Sequence, residues 1–139
     1  MTDMATHLAI TGTPQPTARS CTFEAIPSRV REARSFLAAV LNDSPLTGDA
    51  LICLSELVTN SICHSNSARP GGTFTVRVSL DGRSLRVEVE DQGGPWAHDH
   101  HNDGQSGRGL LIVSQLATTW DISGNATSAR VVWFTLDCP

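Results

Sequence analysis

The sequence predicts an α+β domain: a two-layer α/β sandwich in which one mixed, mostly antiparallel sheet is covered on one face by helices. Three observations lead there. The elements read in the order β-α-α-β-β-loop-α-β-β, with strands in neighbouring pairs rather than alternating singly with helices. Residues Thr73 to Val89 alternate apolar and polar around an Asp81-Gly82 turn signal, as a hairpin with one covered face does. Leu51, Leu54, Leu57, Val58 and Ile62 recur at helical spacing, so that helix also has one face to bury.

Met1 to Ser20 reads as a disordered tail, because Thr11 to Thr17 has little to bury and two prolines to interrupt structure. Cys21 to Ile26 reads as an edge strand opening a domain over residues 21–139. Pro27-Ser28 announces a helix with Ser28 as its cap, and Val30, Ala33, Leu37, Val40 and Leu41 form its apolar stripe. Asn42 to Pro45 breaks it. A second helix starts between Ser44 and Thr47, has Asp49 favourably placed in its first turn, and runs to about His64. After a loop over Asn66 to Gly72, the first hairpin strand points Phe74, Val76, Val78 and Leu80 inward, and the return strand does the same with Leu85, Val87 and Val89. Trp96 to Ser106 is a polar surface loop. A third helix opens at Gly107-Arg108-Gly109-Leu110, with Val113, Leu116 and Ala117 inward. Trp120 to Ser123 and Ala129 to Leu136 are the last two strands, joined by a turn at Gly124-Asn125.

A chain of 139 residues with 40% hydrophobic content suits one domain with a real core. A net charge of -4 argues against a nucleic-acid binder, which usually carries a basic face. No apolar run approaches a membrane span, and the N-terminus lacks the basic start and apolar core of a secretion signal. Cys21, Cys53, Cys63 and Cys138 form no Cys-x-x-Cys pair and read as reduced thiols of a cytoplasmic protein.

Three short constellations carry chemistry. Glu56 and Asn60 are one helical turn apart, so their side chains share a stripe that His64 continues. A carboxylate and a carboxamide so placed suit a hydrated hard cation and a phosphate chain, since magnesium takes oxygen ligands and keeps several waters. The bland alternative is an ordinary polar stripe, with His64 a helix-end histidine favoured by the dipole. Asp91 takes the next inward position after Val89, where a carboxylate is costly unless paired. It either sits at the mouth of a pocket or makes an Asx-turn with Gly93. Glycines opening a helix, as at Gly107 and Gly109, let N–H groups approach phosphate oxygens. His98, His100 and His101 with Asp99 and Asp103 offer a transition-metal site or a merely solvated loop, and Trp96 in the same loop is a candidate anchor for a partner.

In fixed order, Glu56-x-x-x-Asn60, Asp91-Gln92-Gly93-Gly94 and Gly107-Arg108-Gly109-Leu110 resemble the ATP-binding domain shared by gyrase, Hsp90, histidine kinases and MutL, known as the Bergerat fold. Ser55 to Asn60 and Asp91 to Trp96 are similar to the stand-alone anti-sigma regulatory factors of actinobacterial type, which are serine/threonine kinases of partner-switching systems. The likeness spans roughly Thr22 to Leu136. It implies ATP and Mg2+ as cofactors, with Asn60 on the metal and Glu56 as general base. It implies that Asp91 accepts from the adenine amino group, that Gly93 lets the backbone pass the base, and that Gly107, Arg108, Gly109 and Leu110 form the phosphate loop beneath a lid from Trp96 to Ser106. It implies a sigma factor and an anti-anti-sigma STAS-domain protein as partners, and suggests a homodimer. No helix bearing a phospho-acceptor histidine accompanies the motifs, so a two-component sensor core is not the expectation. Two positions depart from the pattern. Pro95 replaces the last glycine of Asp-x-Gly-x-Gly, and Gln105 stands where kinase members often carry an arginine near the terminal phosphate. A nucleotide-binding module that sequesters a partner without phosphotransfer is therefore the alternative.

Overall fold

The computed structural model describes residues 17–94, 105–124 and 129–138. Its elements are β1 (Thr17–Glu24), α1 (Arg29–Leu41), α2 (Thr47–His64), a 3-10 turn (Asn66–Ala68), β2 (Thr73–Asp81), β3 (Ser84–Asp91), α3 (Gln105–Leu116), β4 (Thr119–Ser123) and β5 (Arg130–Asp137). The order is the expected one. The five strands form a single sheet in the order β1-β2-β3-β5-β4.

All four pairings are antiparallel, so the sheet is not mixed as expected. The reason is topological. The crossover through α3 makes β3 and β4 run the same way, but β5 returns between them and separates the two.

β1 is an edge strand, as expected, yet it begins at Thr17 rather than Cys21. Thr17 to Ser20 pair with Leu80 back to Arg77, so the backbone of β2 is matched along its length without apolar side chains demanding it. The rest of the expected tail lies outside the described residues. The hairpin between β2 and β3 closes on the pair Asp81 and Ser84, leaving Gly82-Arg83 as the two-residue turn, with Gly82 at φ 63°.

The inward rows of the strands supply Phe74, Val76, Val78, Leu85, Val87, Val89, Val132, Phe134 and Leu136, all buried. The helices meet them with Ala33 and Leu37 from α1 and Leu54, Leu57 and Val58 from α2, and Phe23 stacks on Phe74 with ring centroids 5.3 Å apart. The outward face is polar and bonded to itself. Arg77 bridges Glu88 at 2.9 Å and Glu90 at 2.7 Å, Arg86 bonds Glu88 at 2.8 Å, and the Arg86 guanidinium lies 4.0 Å from the centre of the Trp133 ring. Trp120 is half-buried against the core, a packing role.

Ser28 does not cap α1. It has helical dihedrals and its side chain bonds no backbone N–H of the first turn. The N–H groups of Arg29 and Val30 are already held by the carbonyls of Ile26 and Pro27 at 2.9 and 3.2 Å, which removes the need for a side-chain acceptor. α1 ends on Asn42 in the left-handed region, whose N–H bonds the Ala38 carbonyl at 2.9 Å. Arg34 then ties α1 to α2 through Ser55 Oγ at 2.6 Å and the Leu51 carbonyl at 3.2 Å. All four cysteines are free. Among the described residues no helix is long and apolar enough to cross a membrane.

Candidate functional site

α2 packs on β2, β3 and β5 with one side and against α3 with another. Its last two turns reach the end of β3 and the start of β5, where Ser61, Asp91 and Arg130 meet. Helical spacing distributes their side chains. Ser61 follows Leu54, Leu57 and Val58 on the inward stripe and is buried at 2% exposure. Asn60 is rotated one residue back and is also buried, whereas Glu56 and His64 on the same stripe are half-exposed. The predicted stripe is thus graded, wet at both ends and dry at Asn60.

The buried carboxamide of Asn60 stands out. Its Nδ2 has no hydrogen-bond partner among the described residues, although most buried polar atoms find one. Leaving such a group unsatisfied costs about 1–3 kcal/mol. A half-turn about the terminal bond exchanges its oxygen and nitrogen, so this position can present either an acceptor or a donor. As an N–H donor this end would be satisfied by a phosphate or water oxygen, and only after the half-turn would the amide oxygen meet a cation.

Asp91 is inward and buried, as the alternation requires; it makes the Asx-turn with Gly93 and is paired within the protein. Oδ1 accepts from the Gly93 N–H at 2.8 Å, an Asx-turn. Oδ2 accepts from Ser61 Oγ at 2.7 Å and from Arg130 Nη2 at 3.0 Å. Sequence reasoning missed both Oδ2 partners. Arg130 opens β5, sits directly opposite Asp91 in the register, and is buried at 3% exposure. The Asp91–Arg130 ion pair therefore lies wholly inside, with α2, β3 and β5 joined at one carboxylate oxygen.

The turn after Asp91 is held just as closely. Gly93 and Gly94 have φ of 72° and 105°, a region that side chains disfavour. The Asn66 N–H bonds the Gly93 carbonyl at 2.7 Å, and a Cβ on Gly94 would come within 2.7 Å of the Asn66 side chain. Ser67, also missed from sequence, donates to the Thr73 carbonyl at 2.6 Å and accepts from the Gln92 N–H at 2.9 Å. The 3-10 turn thus clamps the end of β3 to the start of β2.

α3 begins at Gln105, two residues before the predicted start. Gly107 falls among the first N–H groups, which have no intrahelical acceptor. Gly109 lies past them, where an N–H bonds the carbonyl four residues before it, so a free amide is not expected there. The Leu110 side chain is buried in the core and anchors the helix start. The expected lid from Trp96 to Ser106 ends inside α3 at Gln105 and Ser106, and its remainder lies outside the described residues. So do Pro95, the His98–Asp103 cluster, and the side chains of Gln105 and Arg108.

The arrangement offers a carboxylate (Glu56) one turn from an unsatisfied carboxamide (Asn60), a preoriented acceptor (Asp91) and a glycine-containing helix start. Oxygen-bearing side chains one helical turn apart, as in Glu56 and Asn60, are of the kind that hold a hydrated hard cation.

The family model described as a histidine kinase-like ATPase domain matches residues 23–135. Among solved structures, the chain is similar to the crystal structure of the RsbU and RsbW domains of Rv1364c from Mycobacterium tuberculosis, with a TM-score of 0.65 and 20% identity. That match covers 89% of this chain and 32% of the other, so the chain spans about a third of its length and shares its fold over that part. No curated protein sequence matches the chain. The family match runs from Phe23 in β1 to Thr135 in β5 and takes in every constellation singled out above; the chain belongs to the histidine kinase-like ATPase domain family.

Proposed function

We propose that the chain binds Mg-ATP and acts as an anti-sigma regulatory factor with serine/threonine kinase activity toward an anti-anti-sigma, STAS-domain partner. The single observation that carries the nucleotide part is Asn60: a buried carboxamide with an unpartnered end, one turn from Glu56 and next in sequence to the serine that holds Asp91.

On this reading Asn60 holds the magnesium ion, which when bound neutralises charge on the phosphates. Glu56, half-exposed and on the same stripe, takes the proton of the attacking serine hydroxyl. Asp91 orients the base by accepting from its amino group, and Gly93 and Gly94 keep the turn beside it free of side chains. Gly107 offers an N–H to the phosphate chain at a helix start. The partner assignment rests on the motif likeness of Ser55 to Asn60 and Asp91 to Trp96 to stand-alone anti-sigma factors, which also suggests a homodimer; the acidic net charge and the cysteine usage support a cytoplasmic protein with no nucleic-acid role.

A second reading is favoured by Gln105, which replaces an arginine that would stabilise the transferred phosphoryl group. On that reading ATP binding only switches partner capture.

Calorimetry with ATP and Mg2+ tests the first step. Wild type binds and Asn60→Ala binds at least about tenfold more weakly, the loss of one ligand to a charged group. Equal binding by both proteins places the nucleotide elsewhere. Labelled ATP and a STAS-domain partner then separate the two readings. Phosphoserine on the partner supports the kinase, and binding without transfer supports the switch.

A further inference from the structure

Asp91 accepts from more hydrogen-bond donors than a base-reading carboxylate needs. An ionised carboxylate has about four lone-pair positions. Among the described residues three are taken, by Gly93 N–H on Oδ1 and by Ser61 Oγ and Arg130 Nη2 on Oδ2. The side chain is 1% exposed and that of Arg130 is 4% exposed, so neither charge is shared with bulk water. Such a pair is poorly explained as a source of stability, because apolar residues of the same volume usually serve a core as well or better. It does hold the carboxylate in one orientation, with one acceptor position of Oδ1 left over among the described residues.

We propose that Ser61 and Arg130 are positioning residues for base recognition. They lock Oδ2, so that Asp91 reads one amino hydrogen of a purine through Oδ1. This inference rests on the nucleotide reading above and adds to it two residues that touch the carboxylate rather than the ligand. Three elements must stay in register for the lock to hold: α2 through Ser61, β5 through Arg130, and the β3 turn through Gly93. Base selectivity is therefore set from the side of the carboxylate away from the ligand. Ser61 is also the neighbour of Asn60, so one helix turn carries both the phosphate-end and the base-end fixture.

The experiment compares ATP with purine riboside triphosphate, which lacks only the exocyclic amino group, by calorimetry in the presence of Mg2+. Wild type should prefer ATP by about tenfold or more, the worth of a hydrogen bond to a charged acceptor. Ser61→Ala and Arg130→Met should each lower that preference below about threefold, while binding of inorganic triphosphate stays within about twofold of wild type. Arg130→Lys should recover the preference, since one N–H suffices for Oδ2. A merely structural role would lower melting temperature and leave the preference intact. Ser61→Ala keeps the ion pair and so remains informative even where Arg130→Met fails to fold. A wild type that prefers ATP, with both variants preferring it equally, overturns the inference and leaves the nucleotide reading standing. Wild type that binds the two ligands equally also overturns it, and wild type that binds neither overturns both.

Discussion

Asp91 and Arg130 face each other directly across β3 and β5, on the buried side of the sheet, and their side chains close to 3.0 Å. Opposite charges at a cross-strand pair normally occupy the solvated face, where the worth of the pair is small. Here both charges are dry, and their pairing offsets part of the cost of burying them. Ser61 adds the one donor that α2 brings to the same oxygen. The end of the sheet is thereby tied to the helix that also carries Asn60, whose Nδ2 has no partner among the described residues.

Breaking this pair from one side should be severe. Arg130→Met leaves a buried carboxylate with only neutral donors and is expected to lower unfolding free energy by about 3–5 kcal/mol in urea denaturation. Replacing both partners, Asp91→Leu with Arg130→Met, should recover most of that loss. A single-variant loss under about 1 kcal/mol would mean water reaches the pair.

How far these features were legible from sequence depends on the residue. Asp91 was legible because alternation through Leu85, Val87 and Val89 points it inward whatever pairs with it. The same parity run backward from Leu136, Phe134 and Val132 points Arg130 inward, yet no apolar residue precedes it to carry the pattern, and the β3–β5 register is a non-local fact. Ser61 lay within reach too, at helical spacing from Leu54, Leu57 and Val58. The start of α3 was not legible. Glycines usually mark a helix boundary, and here the helix includes them. Nor was the Ser28 exception, because it depends on which carbonyls the preceding turn supplies.

Two glycines should respond to alanine in opposite directions. Gly94 has φ 105° and an alanine Cβ would meet the Asn66 side chain at 2.7 Å. Gly94→Ala should therefore cost about 1–3 kcal/mol and disturb the clamp on Gly93. Gly48 lies in the first turn of α2 with nothing within 4 Å of a Cβ, so Gly48→Ala should stabilise by about 0.5 kcal/mol. Thermal melts of both variants check the pair, and a stabilised Gly94→Ala would contradict the tight approach to Asn66.

Cys53 should shape the alkaline limb of stability. Burial, with the nearby charges of Asp49 and Glu56, pushes its thiol up from 9.0 to about 11. Above pH 9 the unfolded chain releases this proton first, so the folded state binds more protons and loses stability as pH rises toward 11. Cys53→Ala should flatten that part of the profile in urea titrations at stepped pH. At neutral pH a thiol reagent should modify exposed Cys63 well before buried Cys53.

On the acid side the outer face of the sheet contributes. Burial alone would raise the Glu88 carboxyl, but hydrogen bonds from Arg77 and Arg86 outweigh it and hold it below its ordinary 4.5. A depressed carboxyl stabilises above the unfolded value and loses that contribution as pH falls through the folded one. Glu88→Gln should thus lower stability at neutral pH by no more than about 1 kcal/mol per pair and flatten the decline below pH 4.5. An unchanged acid slope would mean that the three side chains are not held together in solution.

Glu56 and Asn60 should separate chemistry from binding. They share a helical stripe one turn apart, but Asn60 is buried and unsatisfied whereas Glu56 is half-exposed. A group that binds must be in place before the ligand arrives, and a general base acts only on the proton in flight. Glu56→Gln keeps the size and polarity of the side chain and removes only its basicity. With Mg-ATP and a STAS-domain partner it should slow serine phosphorylation by about a hundredfold or more, the lower range for a lost general base. Its ATP affinity should stay within about threefold of wild type, whereas Asn60→Ala should lose affinity and transfer together. Equal transfer by Glu56→Gln and wild type would remove Glu56 from the chemistry, leaving Asn60 and Asp91 as the parts of a nucleotide switch.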